Sequence, residues 1–257
     1  MSLHLVGLGL HDAKDITVKG LERVKAADEV YAEFYTAILA GTSHVALEAF
    51  LGRPVKLLDR LGVEVGGDDL VKRAKSREVV LLTAGDPLTA TTHTDLMVRA
   101  GEAGVECRIV HAPSIYSAAP GLLGLQHYKF GRTTTLVRPE RNWAPTSPFD
   151  ALVENHARDL HTLVLLDIKA DEEYFMTANQ GLALLLDLAA KTGNPWFNGR
   201  TQVGVVARAG ADVPVRRTGA VADLLEQDFG PPLHCIVVPG QLHDVEEAAW
   251  RLFRQGS

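Results

Sequence analysis

Thiol groups are almost absent from this chain. Its 257 residues hold two cysteines, Cys107 and Cys235, with no second thiol near either, which excludes a disulfide framework and a Cys-x-x-Cys redox or metal centre. Both are expected to be small core residues. Basic charge is not in excess: 26 Lys and Arg against 32 Asp and Glu leave a net charge of -6. Broad phosphate neutralisation, and with it a nucleic-acid partner, is therefore not expected. The longest apolar runs, such as Leu182 to Leu186, fall far short of the roughly 18 residues of a membrane span. The opening Met1-Ser2-Leu3-His4-Leu5-Val6-Gly7 lacks the basic start and long apolar stretch of a secretion signal. A cytoplasmic protein without a membrane partner is the expectation. The 10 histidines include no His-Glu-x-x-His or comparable spacing, so no metal is expected. There is no repeat of fixed period and no low-complexity tract.

What is present is the balance of a folded globular protein, 46% hydrophobic and 23% charged residues. The length suits one large α/β domain or two of ordinary size. Apolar runs of strand length alternate with stretches of helical period, which predicts an α/β fold. Strands are predicted at His4–Gly7, Val30–Phe34, Val55–Leu58, Val79–Leu82 and Glu106–Val110. Helices are predicted between them, the first carrying Ile16, Val18, Leu21 and Val24 at helical spacing. After His111-Ala112-Pro113 the connections lengthen, with strands at Thr133–Val137, Thr162–Asp167, Gln202–Ala207 and His234–Val238 and helices at Ala178–Ala190 and Val221–Gln227. This change predicts two domains, 1–112 and 113–257.

Candidate chemistry gathers at strand ends. Gly7-Leu8-Gly9-Leu10 lets backbone approach a ligand closely, but the third glycine of a dinucleotide fingerprint is missing, since position 12 is Asp12. Phosphate cradling, backbone contact with an adenosine-type ligand and a plain tight turn remain open at this point. The acid that would hold a ribose is also misplaced, only Glu33 lying near the right strand end. Asp86, in Gly85-Asp86-Pro87, stands at the carboxyl edge of a buried strand, where open α/β sheets hold ligands; it could equally cap a helix entered near Leu88 or Thr89. Ser114 and Tyr116 follow another strand end and are candidate polar contacts, Ser114 lacking the Gly-x-Ser-x-Gly setting of a nucleophile. Asp167 and Lys169 could be a solvated pair.

Taken together, the strings identify a family. Val6 to Leu10 with Asp15-Ile16-Thr17 and Ala27 to Thr36 resemble the opening of the tetrapyrrole-methylase superfamily. Gly85 to His93, His111 to Ala118, Tyr128 to Gly131, Asn142-Trp143, Pro145 to Ser147, Leu166 to Ala170, Tyr174 with Met176 to Asn179, and Ala207 to Gly210 resemble its diphthine synthase family, in order and over nearly the whole chain. The resemblance implies two α/β domains with a cofactor cleft between them, a homodimer, and S-adenosyl-L-methionine as methyl donor, leaving S-adenosyl-L-homocysteine. It implies methylation of the amino group of a modified histidine on translation elongation factor 2, three times in the archaeal form. Carried over residue by residue, cofactor contacts fall at Leu10, Asp86, Thr89, Ser114, Ile115, Leu166, Ala209 and His234. Family members often carry valine where Thr89 stands, and the Ala119-Pro120-Gly121 region holds one additional residue.

A methyl sulfonium is already electrophilic, so the protein's task is alignment and exclusion of water, without a metal or covalent nucleophile. No residue is nominated as a base, and Asp86 is expected to orient the cofactor. The negative net charge suits a partner whose modified loop lies on a basic, RNA-facing surface. The rival readings are a precorrin or uroporphyrinogen methyltransferase, a silent adenine-nucleotide sensor and a nicotinamide dehydrogenase, the last disfavoured by the broken glycine pattern.

Overall fold

The structure, a computed structural model, describes residues 1–35, 37–141 and 143–254; Thr36 and Asn142, quoted above for the resemblance, lie outside them. Two compact units result, Met1–Ile115 with Lys169–Glu173, and Tyr116–Ile168 with the chain from Tyr174 onward. The first unit thus runs to Ile115 rather than Ala112 and includes a short later segment.

The first unit contains β1 (Ser2–Gly7), α1 (Val18–Ala26), β2 (Glu29–Glu33), α2 (His44–Leu51), β3 (Lys56–Leu58), α3 (Arg60–Glu64), α4 (Gly67–Ala74), β4 (Glu78–Thr83), α5 (Thr94–Glu102) and β5 (Glu106–Val110). Its sheet has the order β3-β2-β4-β1-β5, parallel throughout. Side chains of β1 and β4 alternate between two apolar layers. Val6, Val80 and Leu82 pack with Val24 of α1 and Leu47 and Leu51 of α2. Leu3, Leu5, Val79 and Leu81 pack with Leu70 and Val71 of α4 and Leu96 and Ala100 of α5. Both faces are covered, which is why β4 reads as an unbroken apolar run from Val79 to Leu82 and why even Ser2 and His4 of β1 are buried. In α1 the phase differs from expectation: Gly20 and Val24 are buried, whereas Val18 is 76% exposed. Thr17 sets that phase by accepting the Gly20 N–H as N-cap.

Chain direction creates a switch point in this sheet. After β1 the chain passes through α1 towards β2, while after β4 it passes through α5 to β5, on the far side of β1. Neighbouring strands whose connections depart in opposite directions leave a crevice at their carboxyl ends. The loops after β1 and β4 meet there.

From Ile115 the chain continues, mostly in the second unit, with α6 (Ile115–Leu123), β6 (Thr134–Leu136), α7 (Ser147–His156), β7 (Thr162–Leu166), the two-stranded β8 (Ile168–Lys169) and β9 (Tyr174–Phe175), α8 (Ala178–Lys191), β10 (Gln202–Ala207), β11 (Val215–Ala220), α9 (Val221–Leu225), β12 (His234–Val238) and α10 (Asp244–Arg251). The main sheet of the second unit is mixed, in the order β11-β10-β12-β7-β6. β12 is antiparallel to both β10 and β7, and β6 is parallel to β7. Consequently β6, β7 and β10 end on the edge where β12 begins. Leu182 and Leu185 of α8 and Phe149 of α7 cover one face, with Val205 and Ile236 of the sheet. A reciprocal Thr177–Gln180 capping box starts α8.

Candidate active site

At the switch point the two loops are zipped together by backbone. Leu8 donates to the Thr83 carbonyl at 2.8 Å, Gly9 to the Gly85 carbonyl at 3.2 Å, and Gly85 back to the Gly9 carbonyl at 2.6 Å. Close approach requires Gly7, since a Cβ there would lie 2.5 Å from the Gly85 carbonyl oxygen and 2.6 Å from Ala112 Cβ. The next two amides, Leu10 and His11, donate to Asp15 Oδ2 at 3.1 and 2.8 Å. All four N–H groups from Leu8 to His11 are therefore spent inside the protein. No amide nest is left for a phosphate, which removes the phosphate-cradling reading of this turn. Glu33 is not a ribose acid either. It is fully buried, accepts the Tyr35 N–H, and lies 3.6 Å from Nε2 of buried His93, whose Nδ1 is 3.1 Å from the Pro87 carbonyl oxygen.

Asp86 is the organising residue of this edge. Oδ1 accepts from the Leu88 N–H at 3.1 Å and the Thr89 hydroxyl at 3.2 Å, and Oδ2 from His111 Nδ1 at 2.7 Å and the Ala112 N–H at 3.3 Å. Burial of the carboxyl pushes its pKa up, but the hydrogen bonds from Leu88, His111 and Ala112 outweigh that, and the net shift is downward. Asp86 does not cap a helix entered near Leu88; α5 starts at Thr94, and the carboxylate instead closes an Asx turn and ties the loop after β4 to the loop after β5. Thr89 takes part through its hydroxyl. Gly85, at φ +73°, would aim a Cβ into open space. Leu10, Thr89, Ser114 and Ile115 are half-buried on the same carboxyl edge, Ile115 heading α6. What sequence reasoning missed is the partnership of Asp86 with His111. The two lie 25 residues apart, after strands that flank β1 on either side, and the available signal was only that both stand at strand ends.

The remaining three candidates belong to the second unit and share one sheet edge. Leu166 ends β7, Ala209 follows β10, and His234 opens β12 opposite Ala207. Ala178 donates its N–H to His234 Nδ1 at 3.1 Å, so Nε2 carries the hydrogen that faces the Pro231 carbonyl oxygen at 3.1 Å. Burial lowers the His234 pKa, in keeping with a neutral ring. Both ring nitrogens are committed within the protein, which leaves the ring face and neighbouring backbone to meet a ligand. Asp167 and Lys169 are not a solvated pair: Asp167 Oδ2 accepts the Arg138 N–H at 2.8 Å, and Lys169 faces Glu172 at 3.8 Å. Of the two cysteines, Cys235 is buried and Cys107 only partly so.

The tetrapyrrole (corrin/porphyrin) methylase family model matches residues 2–224. Diphthine synthase of Methanococcus maripaludis is 49% identical over 247 residues, 96% of each chain. The chain belongs to the tetrapyrrole methylases, in the diphthine synthase branch. Methanocaldococcus jannaschii has a diphthine synthase 49% identical over 249 residues, again 96% of each chain. A crystal structure of diphthine synthase superposes with a TM-score of 0.89 at 38% identity, covering 99% of this chain and 96% of that one. A tetrapyrrole methylase is an enzyme, and the α/β architecture expected from the family is the one found. The nicotinamide dehydrogenase reading falls with the spent amides of the glycine turn. No helix among the described residues is long and apolar enough to cross a membrane.

Proposed function

We propose that this methyltransferase takes its methyl groups from S-adenosyl-L-methionine and adds them to the amino group of a 3-amino-3-carboxypropyl histidine on translation elongation factor 2. Three successive transfers form diphthine and release S-adenosyl-L-homocysteine. The observation that carries the cofactor half of this reading is the fate of the amides in the glycine turn. A site at a switch point with every such N–H spent has nothing for a pyrophosphate, and it fits an adenosine ligand without phosphate. The open space beside Gly85 and the half-buried, largely apolar rim of Leu10 and Ile115 fit the same ligand. The acceptor half rests on membership of the diphthine synthase branch.

When bound, the cofactor supplies an electrophilic methyl carbon and a neutral thioether leaving group. The chain's own task is placement. Leu10, Thr89, Ser114 and Ile115, on the carboxyl edge of the first unit's sheet, meet the ligand through backbone and apolar contact, and Leu166, Ala209 and His234 share one edge of the second unit's sheet. Asp86 acts by fixing the loops that carry Leu88, Thr89 and Ala112, since its four lone-pair directions are already taken. The enzyme works as a homodimer in the cytoplasm, where elongation factor 2 operates. The test is mass spectrometry of elongation factor 2, with and without the aminocarboxypropyl group, after incubation with enzyme and S-adenosyl-L-methionine. One, two and three added methyl groups on the precursor form alone are expected; an unmodified factor, or methylation of a tetrapyrrole carbon instead, overturns the reading.

A further inference from the structure

Methylating an amine three times poses a proton problem that the placement residues do not solve. The acceptor nitrogen attacks only as the free amine, and each of the first two transfers leaves it as an ammonium that must lose a proton before the next. We propose that His111 is the base that takes these protons, held for the task by Asp86; the proposal rests on the amine-methylating function above.

The geometry is that of an oriented imidazole. Asp86 Oδ2 lies 2.7 Å from Nδ1 of His111, with the Asp86 side chain 9% and the His111 side chain 71% exposed. A carboxylate only accepts, so the hydrogen between them sits on Nδ1 and the lone pair of Nε2 is the one presented outward. This is the arrangement by which a buried aspartate fixes the tautomer of a working histidine and stabilises its imidazolium. Asp86 is held ionised by the hydrogen bonds it receives. The loop after β4 offers Asp86 alone as a charged group against the imidazole; the loop after β1 approaches the neighbouring Ala112 with Gly7, which carries no charge. Among the described residues no other hydrogen bond or ion pair engages His111. His111 stands three residues before Ser114, on the edge assigned to the cofactor.

The step balances simply. The amine lone pair forms the N–C bond as the S–C bond breaks and its electrons stay on sulfur; the N–H proton of the resulting ammonium passes to Nε2. From the exposed imidazolium it leaves to water. The third transfer yields a quaternary nitrogen with no proton to lose.

His111→Asn tests this, because its side-chain amide can still donate to Asp86 but cannot take a proton. Methyl addition to precursor elongation factor 2 near pH 7 is expected to slow by about 10²-fold or more. The deficit should shrink as pH rises towards the range where the amine is free, while S-adenosyl-L-methionine affinity by calorimetry stays near the wild-type value. Independently of activity, the ring nitrogen shifts of His111 in ligand-free enzyme should report the Nδ1–H tautomer, and Asp86→Asn should move the population towards Nε2–H. A His111→Asn enzyme as fast as wild type, a slowing that merely tracks lost cofactor affinity, or a ring in the Nε2–H form overturns the proposal. A wild-type enzyme that leaves the precursor unmethylated overturns instead the function on which it rests.

Discussion

Single glycines separate what the backbone needs from what a ligand needs. Gly85 and Gly52 have φ of +73° and +67°, and a Cβ at either would meet nothing within 4 Å. An alanine in the left-handed region costs about 1 kcal/mol, so Gly85→Ala and Gly52→Ala should lower the denaturation midpoint by similar small amounts. Only Gly85 stands beside the proposed ligand volume; Gly52 ends α2. Calorimetry should therefore find S-adenosyl-L-methionine binding weakened by Gly85→Ala and unchanged by Gly52→Ala, and equal affinities in the two variants would remove the ligand from this crevice. Gly7 behaves differently. Its Cβ would collide with the Gly85 carbonyl, a backbone atom that cannot step aside without parting the two zipped loops. Gly7→Ala is expected to cost about 2–3 kcal/mol of stability, in the range of overpacked core positions, measurable by urea unfolding.

Elements differ in how far their residues announced them. Strand β4 follows an unbroken apolar run, Val79 to Leu82, and β1, β10 and β12 are mostly apolar, because both faces of each are covered, and such stretches read directly. By contrast β11 escaped notice because it is an edge strand carrying Arg216 and Arg217. Pro120 lies inside α6 and disguised it. At the site, the strand ends that carry Asp86 and Ser114 were legible from position alone. The hydrogen bonds of Asp86 were not, since they depend on which strands flank β1. The start of α10 was hidden for another reason: its anchor is a buried charge network. Glu246 is fully buried and bonds Lys129 Nζ at 2.6 Å, the Gln126 N–H at 2.8 Å and His161 Nε2 at 3.1 Å. Burial pushes its pKa up, yet Lys129, Gln126 and His161 together hold it down at about 2. A carboxyl with a depressed folded-state pKa stabilises the fold fully above its unfolded value, near 4.5, and loses that contribution as pH falls towards 2. About 3 kcal/mol is at stake by linkage. Urea midpoints measured from pH 7 down to pH 2 should fall steeply over that window in the wild type. Glu246→Gln should begin lower and show a shallower decline, and parallel curves for the two proteins would exclude Glu246 from the acid response.

Charge acts at the scale of the whole molecule. A net charge of -6 and a pI near 5.9 give the enzyme a negative field that no single ion pair accounts for. The proposed protein substrate works against RNA, so the loop bearing its modified histidine is expected to be basic, and fields of opposite sign accelerate encounter more than they tighten the complex. Salt screens such steering over a distance of about 8 Å at physiological strength. Methylation at low concentrations of elongation factor 2, where encounter limits the rate, should therefore slow by about tenfold between low and high salt. Rates at saturating factor should change little, because placement of the methyl group depends on short-range contacts. Cofactor binding provides the internal control: a ligand held by backbone and apolar contact should bind with nearly the same affinity throughout the series. If the low-concentration rate ignored salt, recognition of the factor would have to rest on apolar or shape complementarity instead, and the acidic surface would have no part in partner choice.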